Sequence, residues 1–443
     1  MVRLHRSKGK MKPILLGIFA VFGCALLQPF GKADAAPYTE KLLYSFCSKH
    51  DCTDGSTPLG SLIDVNGVLY GTTNQGGGRG CFDSFGCGTV FSLDPNTGAD
   101  KVVYAFCKGV RGRLCSDGSY PTDSLIDVKG VLYGTTSNGG NRGCSQFGCG
   151  TVFSIDPNTG AEKVLYAFAG GTDGGVPVAG LVNVKGVLYG MTQSGGGTGC
   201  NGAGCGTAFS FDPKTGVEKV LYSFCSQTNC ADGLTLTSRF VASNGMLYGT
   251  TEAGGIGAEC GGKSGCGTIF SLDPATGAET VLYAFCNQAD CADGWAPADS
   301  LIDVNGVLYG TTYAGGSQHC TVSCGIVFAF DPATGAETVL HTFLGNWDGQ
   351  WSSAGLIKVQ SKLYGTTAYG GAHHTGTVFS IDTKTGAETV VYSFCNHTCG
   401  DGENPSANLL DVDGKLYGTT RSGGDGCPDR LGCGTVFVLE KEH

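Results

Sequence analysis

The chain has 443 residues, with 28 Lys and Arg against 38 Asp and Glu, a net charge of −10. That balance repels phosphate backbones and anionic lipid, so nucleic acid and acidic membrane surfaces are excluded as natural partners. Glycine supplies 76 residues, well over twice the usual ~7%. The glycines recur at fixed places, which marks turns and close packing rather than disorder.

The first 36 residues stand apart. Arg3, Arg6, Lys8, Lys10 and Lys12 form a basic region, Ile14 to Leu27 an apolar one, and Ala33-Asp34-Ala35 an A-x-A cleavage pattern. Residues 1–36 therefore read as a secretory signal peptide, too short to span a membrane. A lipoprotein reading through Val21-Phe22-Gly23-Cys24 is weakened by Phe22 and by the apolar run beyond it. The segment holds six of the basic and one of the acidic residues, leaving 22 against 37, or −15, for residues 37–443. No later apolar run approaches 18 residues, so the expectation is a soluble, monomeric, secreted or periplasmic protein with no membrane span.

From Lys41 onward the chain is repetitive. Leu69-Tyr70-Gly71-Thr72-Thr73 occurs in seven copies, with tyrosines at 70, 133, 189, 248, 309, 364 and 417 and Met191 as the one substitution. The steps of 63, 56, 59, 61, 55 and 53 residues define a repeat architecture. Each unit holds four β-type runs, in the first Ser61–Val65, Val68–Thr73, Gly88–Asp94 and Asp100–Phe106. Asn66-Gly67 is a two-residue hairpin signal, and Asp94-Pro-Asn-Thr-Gly98 is a tight turn. Four antiparallel strands repeated radially predict an all-β fold, a seven-bladed β-propeller occupying residues 37–443. The last unit stops three strands in, and Lys41–Phe46 matches the missing fourth, so the N-terminal strand is expected to close the ring. A linear solenoid is the rival, but it needs capping units and none is present. With strands named a to d outward, the b–c loops and d–a crossovers share one face and vary in sequence, which makes that face the functional one.

Beyond Cys24, 22 cysteines fall into eleven close pairs. Five lie in crossovers (Cys47/Cys52, Cys107/Cys115, Cys225/Cys230, Cys286/Cys291, Cys395/Cys399). Six lie in b–c loops (Cys81/Cys87, Cys144/Cys149, Cys200/Cys205, Cys260/Cys266, Cys320/Cys324, Cys427/Cys433). Of fourteen loop positions, eleven hold two cysteines, three hold none and none holds one. Disulfides gain and lose both partners together, so disulfides are predicted. Zinc competes poorly, as no C-x-x-C occurs and the pairs sit in separate loops. No metal and no cofactor are expected.

Several motifs dissolve on inspection. Gly257–Ser264 spells a P-loop and Gly197–Gly202 spells G-x-G-x-x-G, but neither lies between a parallel strand and a helix. Asn396-His-Thr398 has the form of a glycosylation sequon inside a cysteine pair. An Asp-Gly stands in every crossover (Asp54, Asp117, Asp173, Asp232, Asp293, Asp348, Asp401), as a carboxylate ring for cations or, more simply, as a turn that fixes each crossover.

Broken symmetry is more telling. Trp295, Trp347 and Trp351, all the tryptophans, fall in the crossovers into blades 5 and 6, whose b–c loops carry Tyr313, His319, Tyr369, His373 and His374. Aromatics with polar neighbours on a rigid rim suit a carbohydrate, cell-surface or other small ligand. These eight residues are the candidate site.

The repeat L-Y-G-T-T-x-x-G-G followed by G-C-G-T-V-F-S-x-D-P-x-T-G-A-E resembles the GloVer tandem-repeat family of exported bacterial proteins, also called choice-of-anchor proteins, over residues 40–440. The resemblance implies no catalytic residues, since that family has no established activity. Its members often end in a surface anchor, whereas this chain stops at His443, so a free exported protein is expected. Two function classes remain. The leading one is a binding module. The other is a propeller lyase or hydrolase acting on a glycan or lactone from the cysteine-rich face, with His373 or His374 as base.

Overall fold

A computed structural model describes residues 38–442 apart from 79–85, 108–113, 198, 257–259, 261–264, 317–323, 396–397 and 426–432. The N-terminal basic and apolar segment, His319, Asn396, most of the P-loop look-alike, and Cys81, Cys320 and Cys427 lie outside the described residues. The strands form seven small antiparallel sheets in a ring, a seven-bladed β-propeller. In blade 1 they are Ile63–Val65, Val68–Thr73, Thr89–Leu93 and Asp100–Ala105. Tyr38–Ser45 pairs antiparallel with Thr435–Lys441 and supplies the outer strand of blade 7.

Each residue of the repeated pentapeptide has a separate task. The leucines Leu69, Leu132 and their equivalents are buried in the core. Tyr70 packs on the neighbouring blade, against Leu125, Leu132 and Phe153. The glycine is required by close approach: a Cβ on Gly134 would stand 2.6 Å from Phe153 Cζ and 2.9 Å from Leu125 Cδ2. The first threonine staples blades together, as Thr72 Oγ1 donates to the Asp123 carbonyl (3.0 Å) and Thr311 Oγ1 to that of Ala354 (3.1 Å). The second bonds within the blade, as in Thr73 Oγ1 to Thr89 Oγ1 at 2.8 Å. Ile326 replaces the partner threonine in blade 5, which keeps only the backbone N–H to Thr312 Oγ1 bond that the other blades make as well, as in Thr89 N–H to Thr73 Oγ1.

Between blades runs a ring of edge-to-face phenylalanines. Phe46 meets Phe91, Phe106 meets Phe153, and the pattern continues around to Phe394 on Phe437, with centroids 5.0 to 5.2 Å apart. Such pairs add about 0.5–1.5 kcal/mol each beyond the area they bury.

The innermost strand departs from expectation. The residue pattern places it at Ser61–Val65 in blade 1, whereas the strand covers Ile63–Val65. In blade 2 it is two pieces, Ser119–Pro121 and Ile126–Val128, paired with opposite ends of Val131–Asn138. Four residues, 122–125, oppose only Gly134 and Thr135, so the chain bulges out of the sheet, and a two-residue excess of this kind re-aims side chains. Equivalent bulges of all seven blades meet at the axis.

The cysteine loops also meet. Both members of eight pairs are described, and all eight are disulfides. The separation assumed from sequence does not hold in space. Cys200 and Cys205 of the blade 3 loop lie with Cys225 of the following crossover, and Cys260 with Cys286 and Cys291, their sulfurs within 4.8 Å of one another. Crossover and loop are adjacent because both rise from the same blade's outer half. Blades 2, 5 and 6 keep a single pair, which suits a disulfide and is too few for four-thiolate zinc.

Candidate functional site

The structure brings together three of the eight candidate residues as an aromatic group spanning blades 5 and 6. Tyr313, at the end of strand Val307–Ala314, stacks on Trp351 with centroids 5.0 Å apart and planes 23° apart. Tyr369 meets the other side of Trp351 edge-on at 4.9 Å. Trp351 is held by its backbone, its N–H donating to Cys324 O and its carbonyl accepting from Ala368 N. Its indole Nε1 is buried with no protein partner. The left-handed conformation of Trp351 belongs to the repeat, since Thr57, Tyr120, Val176 and Ala296 share it at equivalent places.

Around this group the rim is open. Tyr313 is 37% exposed, Tyr369 41% and Trp347 74%. Trp347 follows Asn346, whose carbonyl accepts the Gly371 N–H at 2.8 Å and docks the crossover on the blade 6 loop. His373 and His374 are exposed on that loop, and among the described residues neither imidazole has a carboxylate partner. Trp295 does not join the group; it packs on the cluster holding Cys260, Cys266 and Phe285 between blades 4 and 5.

A second convergence, at the axis, was not anticipated. The bulges line a partly open cavity of about 130 Å³, with one or two residues from every blade, among them Thr122, Asp123, Asp299, Ser353 and Ser406. The Asp123 carboxylate accepts the N–H groups of Ser124 and Gly180, and that of Asp299 accepts those of Ser300 and Gly355. Arg239 reaches from blade 4 to Ser124 Oγ (3.1 Å) and Ser300 Oγ (3.3 Å). Asn408 ties Ser300, Gly355 and Ser61 together from blade 7. Burial, and then the like charge of Asp123, push the Asp299 carboxyl up to about 6, against the pull of Arg239 and the two N–H donors. Aligning the repeats reveals the signal: in the column Ser61, Ser124, Gly180, Arg239, Ser300, Gly355, Asn408, one arginine stands among small residues.

The Asp-Gly aspartates lie elsewhere and fix their crossovers. Asp54 accepts from Tyr44 Oη (2.8 Å), Ser48 N and Lys49 N; Asp232 does the same with Tyr222, Ser226 and Gln227. Each also faces a carboxylate of the next blade. Burial first, then the facing aspartate, raise Glu40, Glu162, Glu218, Glu279 and Glu337 to about 7 and Glu388 to about 8.

Among the described residues no helix is long and apolar enough to cross a membrane. No curated protein matches the chain. Among solved structures, the extracellular domain of BT4673 from B. thetaiotaomicron is similar at 9% identity and TM-score 0.55, over 91% of this chain; the chain spans 40% of that one. Oligogalacturonate lyase in complex with manganese aligns at 12% identity and TM-score 0.47, over 92% of this chain and 97% of its own, too distant to carry an argument. The model of the Gloeobacter/Verrucomicrobia repeat matches residues 32–204, 115–260 and 201–437. With nearly the whole repeat region covered, the chain belongs to the Gloeobacter/Verrucomicrobia repeat family.

Proposed function

We propose that this protein is an extracytoplasmic binding module whose aromatic rim at blades 5 and 6 takes a carbohydrate chain. The observation that carries the reading is the Tyr313–Trp351–Tyr369 group beside the exposed Trp347. Exposed ring faces on a disulfide-stiffened rim match the apolar faces of pyranose rings, and their polar edges serve the hydroxyls. The disulfides support an oxidising compartment. The enzyme alternative, a lyase or hydrolase using His373 or His374, has less behind it, because both imidazoles stand on the open rim and, among the described residues, have no orienting carboxylate.

A glycan array with the oxidised mature protein, followed by fluorescence titration of each hit, tests the reading. All tryptophans lie in or beside this sector, so a bound sugar shifts or quenches their emission. Trp347→Ala removes a ring that is mostly exposed, and it should weaken binding by about 1–3 kcal/mol with little change in melting temperature. A glycan that binds with unchanged emission and tolerates Trp347→Ala and Tyr369→Ala places the ligand elsewhere.

A further inference from the structure

The axial cavity has features that blade packing does not require. The hydroxyl oxygens of Thr122, Ser353 and Ser406, from blades 2, 6 and 7, are buried at the cavity and have no hydrogen-bond partner among the described residues. Buried hydroxyls are normally satisfied, by protein or by something held between them. The two charged residues lining the same space are both acids, Asp123 and Asp299, close enough that the charge of Asp123 disfavours ionisation of Asp299. Arg239 offsets that conflict only in part: its charge pulls Asp299 down, but its hydrogen bonds run to Ser124 and Ser300.

We propose that the axial cavity binds one hard divalent cation of the calcium type, held by Asp123 and Asp299 with the hydroxyls of Thr122, Ser353 and Ser406. The donor set is oxygen only, with neither imidazole nor thiolate, which suits calcium or magnesium and not zinc or copper. The volume is close to the ~150 Å³ that admits a benzene-sized molecule, so there is room for an ion with several waters and none for a sugar chain. Asp123 Oδ1 is taken up by the N–H and hydroxyl of Ser124, but Asp123 Oδ2 and both oxygens of Asp299 each keep a lone pair beyond the one given to a backbone N–H. The ion would lie where all seven blades meet and would cross-link blades distant in sequence.

The test uses the oxidised mature chain, stripped with EDTA and titrated calorimetrically with calcium chloride in 150 mM NaCl at neutral pH, where weak surface sites are screened. One ion per chain and a raised melting temperature are expected. Asp123→Asn combined with Asp299→Asn should weaken binding at least tenfold, the amide oxygens still accepting the backbone N–H groups. Ser353→Ala with Ser406→Ala changes no charge and leaves those bonds intact; it should weaken binding several-fold, and it serves if the first variant does not fold. Absence of binding at millimolar calcium, affinity unchanged in the variant that folds, or a crystal structure grown in calcium with only water in the cavity would each overturn the assignment.

Discussion

Gly134 shows how much one missing methyl group decides. Its φ is ordinary, so backbone freedom is not the reason for glycine; the reason is the Phe153 ring and Leu125 side chain lying against its Cα. Gly134→Ala should destabilise the protein by about 1–3 kcal/mol through overpacking, read from chemical denaturation. An unchanged midpoint would mean the ring can move aside. From sequence, the spacing marked this glycine as a site of close packing. Which ring covers it was not legible, because Phe153 belongs to another strand and Leu125 to a bulge. The aromatic sector was legible as a departure from the repeat, but the stacking order was not. Trp295, grouped with the others by type and position, turned out to fill space beside disulfides.

At the scale of elements, the four strands of each blade followed from residue pattern and turn chemistry, and the second to fourth strands of blade 1 match expectation within a residue at each end. The inner strand did so only in part: the pattern reads Ser61–Val65 as β whereas pairing begins at Ile63, and contacts such as Thr72 to the Asp123 carbonyl tie the residues before it to the neighbouring blade. The closing strand was legible because the last unit lacked it. A chain beginning at Cys47 removes Tyr38–Ser45 and bares Thr435–Lys441 as an edge. It should unfold less cooperatively and aggregate, as seen by calorimetry and light scattering. A truncated chain that melts like the full one would show that strand to be dispensable.

Over the whole molecule, the carboxylates facing each other between blades impose a pH dependence. A glutamate titrates near 4.5 when free, whereas Glu40, Glu162, Glu218, Glu279 and Glu337 titrate near 7 in the fold and Glu388 near 8. The folded state therefore holds more protons than the unfolded state between those values, and stability falls as pH rises across that window. The melting temperature should be highest near pH 5 and decline towards pH 8. Glu388→Gln, which keeps a neutral side chain opposite Asp348, should flatten the alkaline part of the decline. A melting temperature that climbs from pH 5 to 8 would contradict the burial of these groups. The axial residues were the least legible feature. Asp123, Arg239 and Asp299 belong to three units, and although Arg239 stands out once the repeats are aligned, only closure of the ring puts the three side by side.

The pairing of Tyr38–Ser45 with Thr435–Lys441 also constrains the order of events during folding. The first strand of the propeller to be synthesised docks on the last, so blade 7 cannot finish until Thr435–Lys441 has been made. Joining ends that far apart costs on the order of 5 kcal/mol in chain entropy if nothing else has formed. Blades 1 to 6 can lessen that cost by forming first, since each draws its strands from one stretch of chain. Closure is then the slow, late step, with the axial carboxylates assembled only as it completes.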